Sequence, residues 1–261
     1  MEKKVFLLIL LVFTSLVMAG PISELYVIQW QNAGIAVIQG NSIVRSWATA
    51  ASGEIAIAVT DKVRTAGHYN GYNGAEYTLN GTFTGTTFNS TNYNGTFHDG
   101  TTDGQYNYAT SWSNGQIWRY DLNWANGQML FDTDKPLLGI TYDPTNDSFW
   151  STGWGDGMVY NYNRSGQLLR SFATNDGNAY HVSLALDHAD GTLWMSQSYE
   201  TKTFIQFSKT GTYLSSATYS GLSGYTWGAE FSLNVPEPGT VVLAILSLAA
   251  FLAFRHSYAG R

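Results

Sequence analysis

The side chains that could do chemistry in this 261-residue chain are mostly carboxylates, and they come in close pairs: Asp99/Asp103, Asp132/Asp134, Asp143/Asp147 and Asp187/Asp190. Two carboxyls at a fixed separation, one protonated and one ionised, are what glycoside hydrolysis needs. Asp143 and Asp187, however, stand 44 residues apart at equivalent places beside turns. Recurrence in register is the mark of a turn residue, so a structural role is expected for both. The loops are rich in oxygen ligands but lack a complete calcium-loop spacing. Of the histidines at 68, 98, 181 and 188, only His181 and His188 are close in sequence, and a strand and turn should keep them apart. No Gly-x-Ser-x-Gly elbow, His-Glu-x-x-His pair or phosphate loop occurs. The expectation is a protein without catalytic, cofactor-binding or metal-binding residues, and so not an enzyme. Cysteine is absent, which excludes disulfides and thiolate metal sites.

Aromatics offer the other chemistry, with 9 Trp, 17 Tyr and 13 Phe. Trp150 and Trp194 recur in register and should pack in the core. Trp112, Trp118, Trp124, Trp154 and Trp227 do not, so some are free to face solvent. Exposed rings beside Asn and Asp suit sugars, whose C–H groups stack on aromatics while amides and carboxylates take the hydroxyls.

These residues must be positioned by a repeat. Residues 138–172 lie over 182–217, with Asp143 on Asp187, Trp150 on Trp194 and Arg164-Ser165-Gly166 on Lys209-Thr210-Gly211. A looser copy covers 110–131. A period near 44 with four short strands per unit is the pattern of propeller blades. The unit at 138–172 reads as strands near 138–142, 148–153, 157–162 and 168–172, separated by Asp-Pro and Ser-Gly turn chemistry. Further blades are expected at 93–131 and 53–88. Residues 68–107 are irregular and read either as long surface loops or as a blade packed mainly by Phe83, Phe88, Tyr93 and Phe97; a β-sandwich is the competing architecture. Residues 24–47 supply only three strands, and 225–233 is a strand without partners. Joining the two closes the ring and leaves no open edge. The expected fold is all-β, a single five-bladed β-propeller of four-stranded blades over residues 20–234.

The ends differ from this body. Residues 1–19 combine Lys3 and Lys4, an apolar run from Val5 to Leu16, and small residues before a break, which predicts a signal peptide cut between Ala19 and Gly20. Residues 20–235 hold 9 Lys and Arg against 17 Asp and Glu, a net charge of −8 without a basic stripe, which argues against nucleic acid. At the other end, residues 240–254 are uncharged and apolar, but span only ~22 Å as a helix against ~30 Å of hydrocarbon. Pro236 and Pro238 keep the preceding chain extended. Arg255 and Arg261, like Lys3 and Lys4, should stay cytoplasmic, which places the body across the membrane.

The order Val235-Pro236-Glu237-Pro238-Gly239, apolar helix 240–254, then Arg255 and Arg261, resembles the PEP-CTERM sorting signal, over about the last 27 residues. That resemblance implies recognition of Pro236-Glu237-Pro238 by an exosortase, a membrane-embedded cysteine protease of Gram-negative exporters that make extracellular polysaccharide. The basic tail departs from the family's tight Arg cluster. The expected function is an exported, exosortase-sorted protein of the cell surface or extracellular matrix. It passes through the inner membrane on residues 240–254, and its propeller binds or builds matrix, with extracellular polysaccharide a candidate partner. The alternative is a secreted glycan-acting hydrolase using carboxylates on the propeller face.

Overall fold

Strands form where β-branched and aromatic residues run between clusters of Gly, Asn and Asp, and among the described residues they do so twenty times. The computed structural model describes residues 20–68, 72–89, 97–111, 114–198 and 201–233. Blade II is β4 (Glu54–Val59), β5 (Lys62–Gly67), β6 (Asn73–Thr78) and β7 (Phe83–Asn89). Blade III is β8 (Phe97–Thr102), β9 (Tyr106–Ser111), β10 (Gln116–Asp121) and β11 (Gln128–Asp132). Blade IV is β12 (Leu137–Asp143), β13 (Ser148–Gly153), β14 (Met158–Asn163) and β15 (Leu168–Ala173). Blade V is β16 (Leu184–Asp187), β17 (Thr192–Ser196), β18 (Thr203–Phe207) and β19 (Tyr213–Thr218).

Blade I joins the first and last strands of the described residues. Its order is β20 (Thr226–Phe231), β1 (Leu25–Gln29), β2 (Gly34–Gln39) and β3 (Ser42–Ala48). β20 pairs antiparallel with β1, with Leu25 opposite Phe231 and Val27 opposite Ala229. The expected five-bladed ring, its strand count and its closure are therefore present, and the sandwich is not. The only helical element among the described residues is a 3-10 turn at Trp30–Asn32.

Each blade buries both of its faces against neighbours, and the core divides into five inter-blade layers. Trp194 fills the layer between blades V and I with Leu25, Phe204 and Phe231. Trp150 fills the one between IV and V with Leu184 and Leu193. Both follow the in-register expectation; truncating a buried Trp of this kind costs about 3–5 kcal/mol. Phe88 and Phe97 are buried as expected, whereas Phe83 is exposed on outer strand β7, and Tyr93 lies outside the described residues.

The turns between third and fourth strands repeat closely. Gly81, Gly166 and Gly211 each donate N–H to the carbonyl three residues back, with φ of 88°, 81° and 88°. A β-carbon would meet Trp47, Phe131 or Phe172 of the preceding blade at 2.5–2.9 Å, so both backbone and space call for glycine. In blade III the same position is Trp124, held at φ 59° and almost fully buried against Phe97 and Tyr120. There the side chain of the turn itself supplies the apolar filling.

Antiparallel alternation puts all first-to-second and third-to-fourth strand turns on one face. The chain enters this face before β1 and leaves it after β20, so we call it the entry face. The turns at 30–33 and 154–157, His68 after β5, and the connection before β20 lie on the far face.

Candidate functional site

The innermost strands β4, β8, β12, β16 and β20 each present a sheet edge toward the ring axis, and edge N–H groups buried there need acceptors. Asp99 on β8 supplies them. Its Oδ1 accepts from Gly100 N–H (2.9 Å) and Ala229 N–H (3.0 Å), and its Oδ2 from Ile140 N–H (3.1 Å) and Leu184 N–H (2.9 Å). One carboxylate thus ties blade III to blades IV, V and I. A second tier repeats the device with hydroxyls. Thr101 Oγ1 accepts from Tyr142 N–H, and Thr141 Oγ1 accepts from Leu186 N–H. Thr141 also donates to Glu230, which accepts Phe231 N–H as well.

Asp99 and Glu230 are both fully buried and close enough to feel each other's charge. Burial drives both carboxyls well above the ordinary range. At Asp99 four backbone N–H groups pull the other way, the arrangement that favours an ionised carboxylate. Glu230 has fewer donors, and the neighbouring Asp99 charge raises it further, so of the two Glu230 is the one favoured to hold a proton. With every Asp99 oxygen committed to two backbone groups, this pair holds the ring.

The other expected carboxylates sit in turns, those of Asp103, Asp143, Asp147, Asp187 and Asp190 on the entry face and those of Asp132 and Asp134 at the far-face end of β11. Asp143 accepts from Thr145 N–H and from Trp150 Nε1–H, and pairs with Lys209 of the next blade at 2.6 Å. Burial raises its pKa, but Lys209, Thr145 and Trp150 outweigh that and leave it below the usual carboxylate range. Asp103 repeats the pattern with Arg164 of blade IV at 2.7 Å, and Arg164 also holds Asp147 at 2.6 Å. Asp187 accepts from the backbone of Ile22 and Ser23 and from the Ser23 hydroxyl, fastening the segment before β1. Asp190 receives Thr192 N–H, and Asp132 receives Asp134 N–H. The structural reading of Asp143 and Asp187 agrees with this geometry.

His181 and His188, close in sequence, are kept apart as expected. Those two bracket β16 at its opposite ends, and His181 pairs with Asp176 at 3.0 Å. It is His68 and His98 that meet, with ring centroids 5.3 Å apart, inside an aromatic cluster at the far-face mouth of the axis. Trp227, at the start of β20, stacks on His98 at 4.3 Å and on Trp30 at 5.2 Å; Tyr225 stacks beyond it at 6.3 Å. Trp30 N–H donates to the Tyr225 carbonyl, which locks the two loops together. Burial pushes His68 down to about 4, so its ring is neutral at physiological pH. Trp30, Tyr225 and Trp227 are each half-buried, and the neighbouring Gln31 and Asn32 are exposed amides. A second far-face pair, Trp154 and Tyr180, lies edge to face at 4.7 Å in blades IV and V. Of the other non-recurring tryptophans, Trp118 is half-buried, Trp124 is core, and Trp112 lies outside the described residues.

Gly20 is placed, and a β-carbon there would lie 1.9 Å from the Gly40 carbonyl oxygen. Ala19, Pro236, Glu237, Pro238, Arg255, Arg261 and the helix expected at 240–254 lie outside the described residues. Among the described residues no helix is long and apolar enough to cross a membrane, and no group of three or more His, Asp and Glu is placed to hold a metal ion.

No protein-family model matches the sequence, and no curated protein matches it. Solved structures do. A nidogen/laminin complex chain superposes with a TM-score of 0.56 at 13% identity, covering 82% of this chain and 100% of that one. A catalytically inactive virginiamycin B lyase from Staphylococcus aureus, with quinupristin, gives 0.48 at 14% identity over 80% of this chain and 71% of that one. Glutaminyl cyclase from Myxococcus xanthus gives 0.46 at 11% identity over 71% and 77%. At such identities the likeness is one of fold alone, and propellers carry many unrelated activities.

Proposed function

We propose that this is an exported, exosortase-sorted protein of the cell surface or extracellular matrix whose propeller is a non-enzymatic saccharide-binding module. The observation that carries the binding half is the half-exposed aromatic mouth of Trp30, Tyr225 and Trp227 with the Gln31 and Asn32 amides beside it. It lies on the face opposite Gly20 and Leu233, where the described residues begin and end. Rings of this kind stack on sugar C–H groups, and amides take hydroxyls. The axial carboxylates support a module over a hydrolase, because Asp99 is fully engaged by backbone groups and Glu230 is sealed from solvent. The sorting half comes from the order Pro236-Glu237-Pro238, apolar residues 240–254 and terminal Arg255 and Arg261, together with the signal-like residues 1–19.

The test of binding is tryptophan fluorescence of the purified protein titrated with the extracellular polysaccharide of exporting cells. A saturable change that Trp30→Ala abolishes without altering the unfolding midpoint supports the reading. Sugar release that an acidic-residue variant abolishes refutes it. The test of sorting is the mass of the mature C-terminus from cells that possess an exosortase. A surface form ending only at Arg261 refutes processing.

A further inference from the structure

Among the described residues nine large apolar side chains are exposed, and only Tyr180 belongs to the far face. Ile22 lies in the entry-face segment before β1, and the rest open the outermost strands: Val44, Phe83, Met129, Leu168, Leu169, Tyr213 and Leu214. Every blade contributes. These strands begin at turns that share a face with the ion pairs of Asp103, Asp143 and Asp147, so the apolar residues form a rim around the entry face. Further along the same strands the exposed residues are mostly polar, among them Ser46, Thr87, Arg170, Ser171 and Ser216, with Ala48 and Ala173 the small apolar ones.

Packing between blades does not account for this rim. Successive residues of a strand point to opposite faces, so a neighbouring blade could cover one of each pair. Yet Leu168 and Leu169 are both 47% exposed, and Tyr213 and Leu214 are 53% and 46% exposed. Scattered surface hydrophobes are ordinary; repetition in all five blades on one face calls for a contact.

The chain itself indicates what that contact is. β20 is the innermost strand of blade I and leaves at the entry face, where Leu233 N–H donates to the Val59 carbonyl. Only Asn234 to Gly239 separate it from the apolar stretch beginning at Thr240, and six extended residues reach ~20 Å. Bringing the far face to a membrane would require passing four strands at ~4.8 Å spacing and then a ring ~20 Å thick, about 35 Å in all. The tether is too short for that.

We propose that, in the precursor, the entry-face rim rests on the outer surface of the inner-membrane lipid bilayer, with Met129, Leu168, Leu169, Tyr213 and Leu214 seated in its headgroup region. This depends on the reading of residues 240–254 as a membrane segment. The docked ring would hold the Pro-Glu-Pro junction at the bilayer surface and turn the aromatic mouth outward.

The chain has no cysteine, so single labels are straightforward. Full-length protein carrying Met129→Cys, Leu168→Cys, Tyr213→Cys or, on the opposite face, Tyr180→Cys would be labelled with bimane. Each would be reconstituted in phosphatidylethanolamine/phosphatidylglycerol vesicles with or without brominated acyl chains. Quenching of the three rim labels by brominated lipid, with the Tyr180 label unaffected, is the expected result. Flotation with vesicles but no rim quenching overturns the docking and leaves the membrane segment standing. Quenching at all four sites equally also overturns it, as does rim protection that depends on protein concentration rather than lipid, which would mark a second copy as the partner. Failure to float overturns the docking and the membrane segment together.

Discussion

Replacing Glu230 by glutamine tests whether the ring axis stores a proton. Glu230 is fully buried, and burial and the neighbouring Asp99 charge raise its pKa, against opposing bonds from Thr101, Phe231 N–H and Thr141. In the unfolded chain it titrates near ~4.3. Its folded pKa is the higher of the two, so the folded state binds the extra proton. The associated stability is complete below pH ~4 and is lost as pH rises toward the folded pKa. The loss runs at about 1.4 kcal/mol per pH unit for one retained proton, between the unfolded and the folded pKa. The glutamine side chain keeps an acceptor for Phe231 N–H and the threonine hydroxyls but never titrates. The two proteins should therefore be close in stability at pH ~4, with Glu230→Gln pulling ahead as pH rises above the unfolded value. For a domain of this size each kcal/mol of that gap corresponds to roughly 2–4 °C in the unfolding midpoint. The assay is urea unfolding of both proteins from pH 4 to 8, read by tryptophan fluorescence. Parallel stability curves, with Glu230→Gln weaker by a constant amount, would show that Glu230 is ionised in the fold and refute the reasoning.

Four further outcomes are expected. Asp99→Asn leaves two of the four axial N–H groups facing an amide that cannot accept from them; at ~1–3 kcal/mol each, urea unfolding should register a loss of about 2–6 kcal/mol. Trp124→Gly relieves a left-handed turn but empties a core site, so a net loss of about 2–4 kcal/mol should appear, while Gly166→Val should destabilise by colliding with Phe131. A chain ending at Gly224 lacks β20 and exposes the edges of β1 and the inner channel, and light scattering should show it aggregating where the complete ring stays monodisperse.

Much of this fold is legible in the sequence because its units are local. The turn at 163–167 and its counterpart at 208–212 can be read from Ser-Gly and Thr-Gly, and the closure from a count of three strands at one end and one orphan at the other. Phe83 is misread as core because an aromatic in a strand looks alike on either side of a blade. The axis is not legible at all. Aligning Asp103 with Asp143 and Asp187 puts Asp99 where blades IV and V have Gly139 and Ser183, and Glu230 lies in the tier of Thr101 and Thr141. The available signal is a departure from the repeat: one carboxylate at an inner-strand position where other units are small, so that its side chain has room to cross the axis. The repeat itself hides it, since periodicity is read by discarding what does not recur. His68 and His98 escape for a related reason. They meet only because the end of β5 and the start of β8 converge at the mouth of a closed ring.

The strand that closes the ring also builds the mouth. β20 carries Trp227, which stacks on His98 and Trp30; Ala229, whose N–H reaches Asp99; and Glu230, which completes the second axial tier. It is the last strand among the described residues, and its partner β1 is the first. Until it docks, blade I lacks its inner strand, Asp99 lacks one of its four donors, and Trp30 and His98 lack the ring that joins them. The aromatic platform therefore cannot assemble on an incomplete chain. A saccharide at the mouth would contact Trp30 from the first strand pair and Trp227 from the last strand, and so would bind the closed ring in preference to an open one. Ligand binding and closure are then linked equilibria, and saturating ligand stabilises the closed ring by RT ln(1 + [L]/Kd). That linkage ties the proposed binding role to the axial carboxylates without any direct contact between them: Asp99→Asn should weaken saccharide binding through the population of closed rings, while leaving the stacking residues in place.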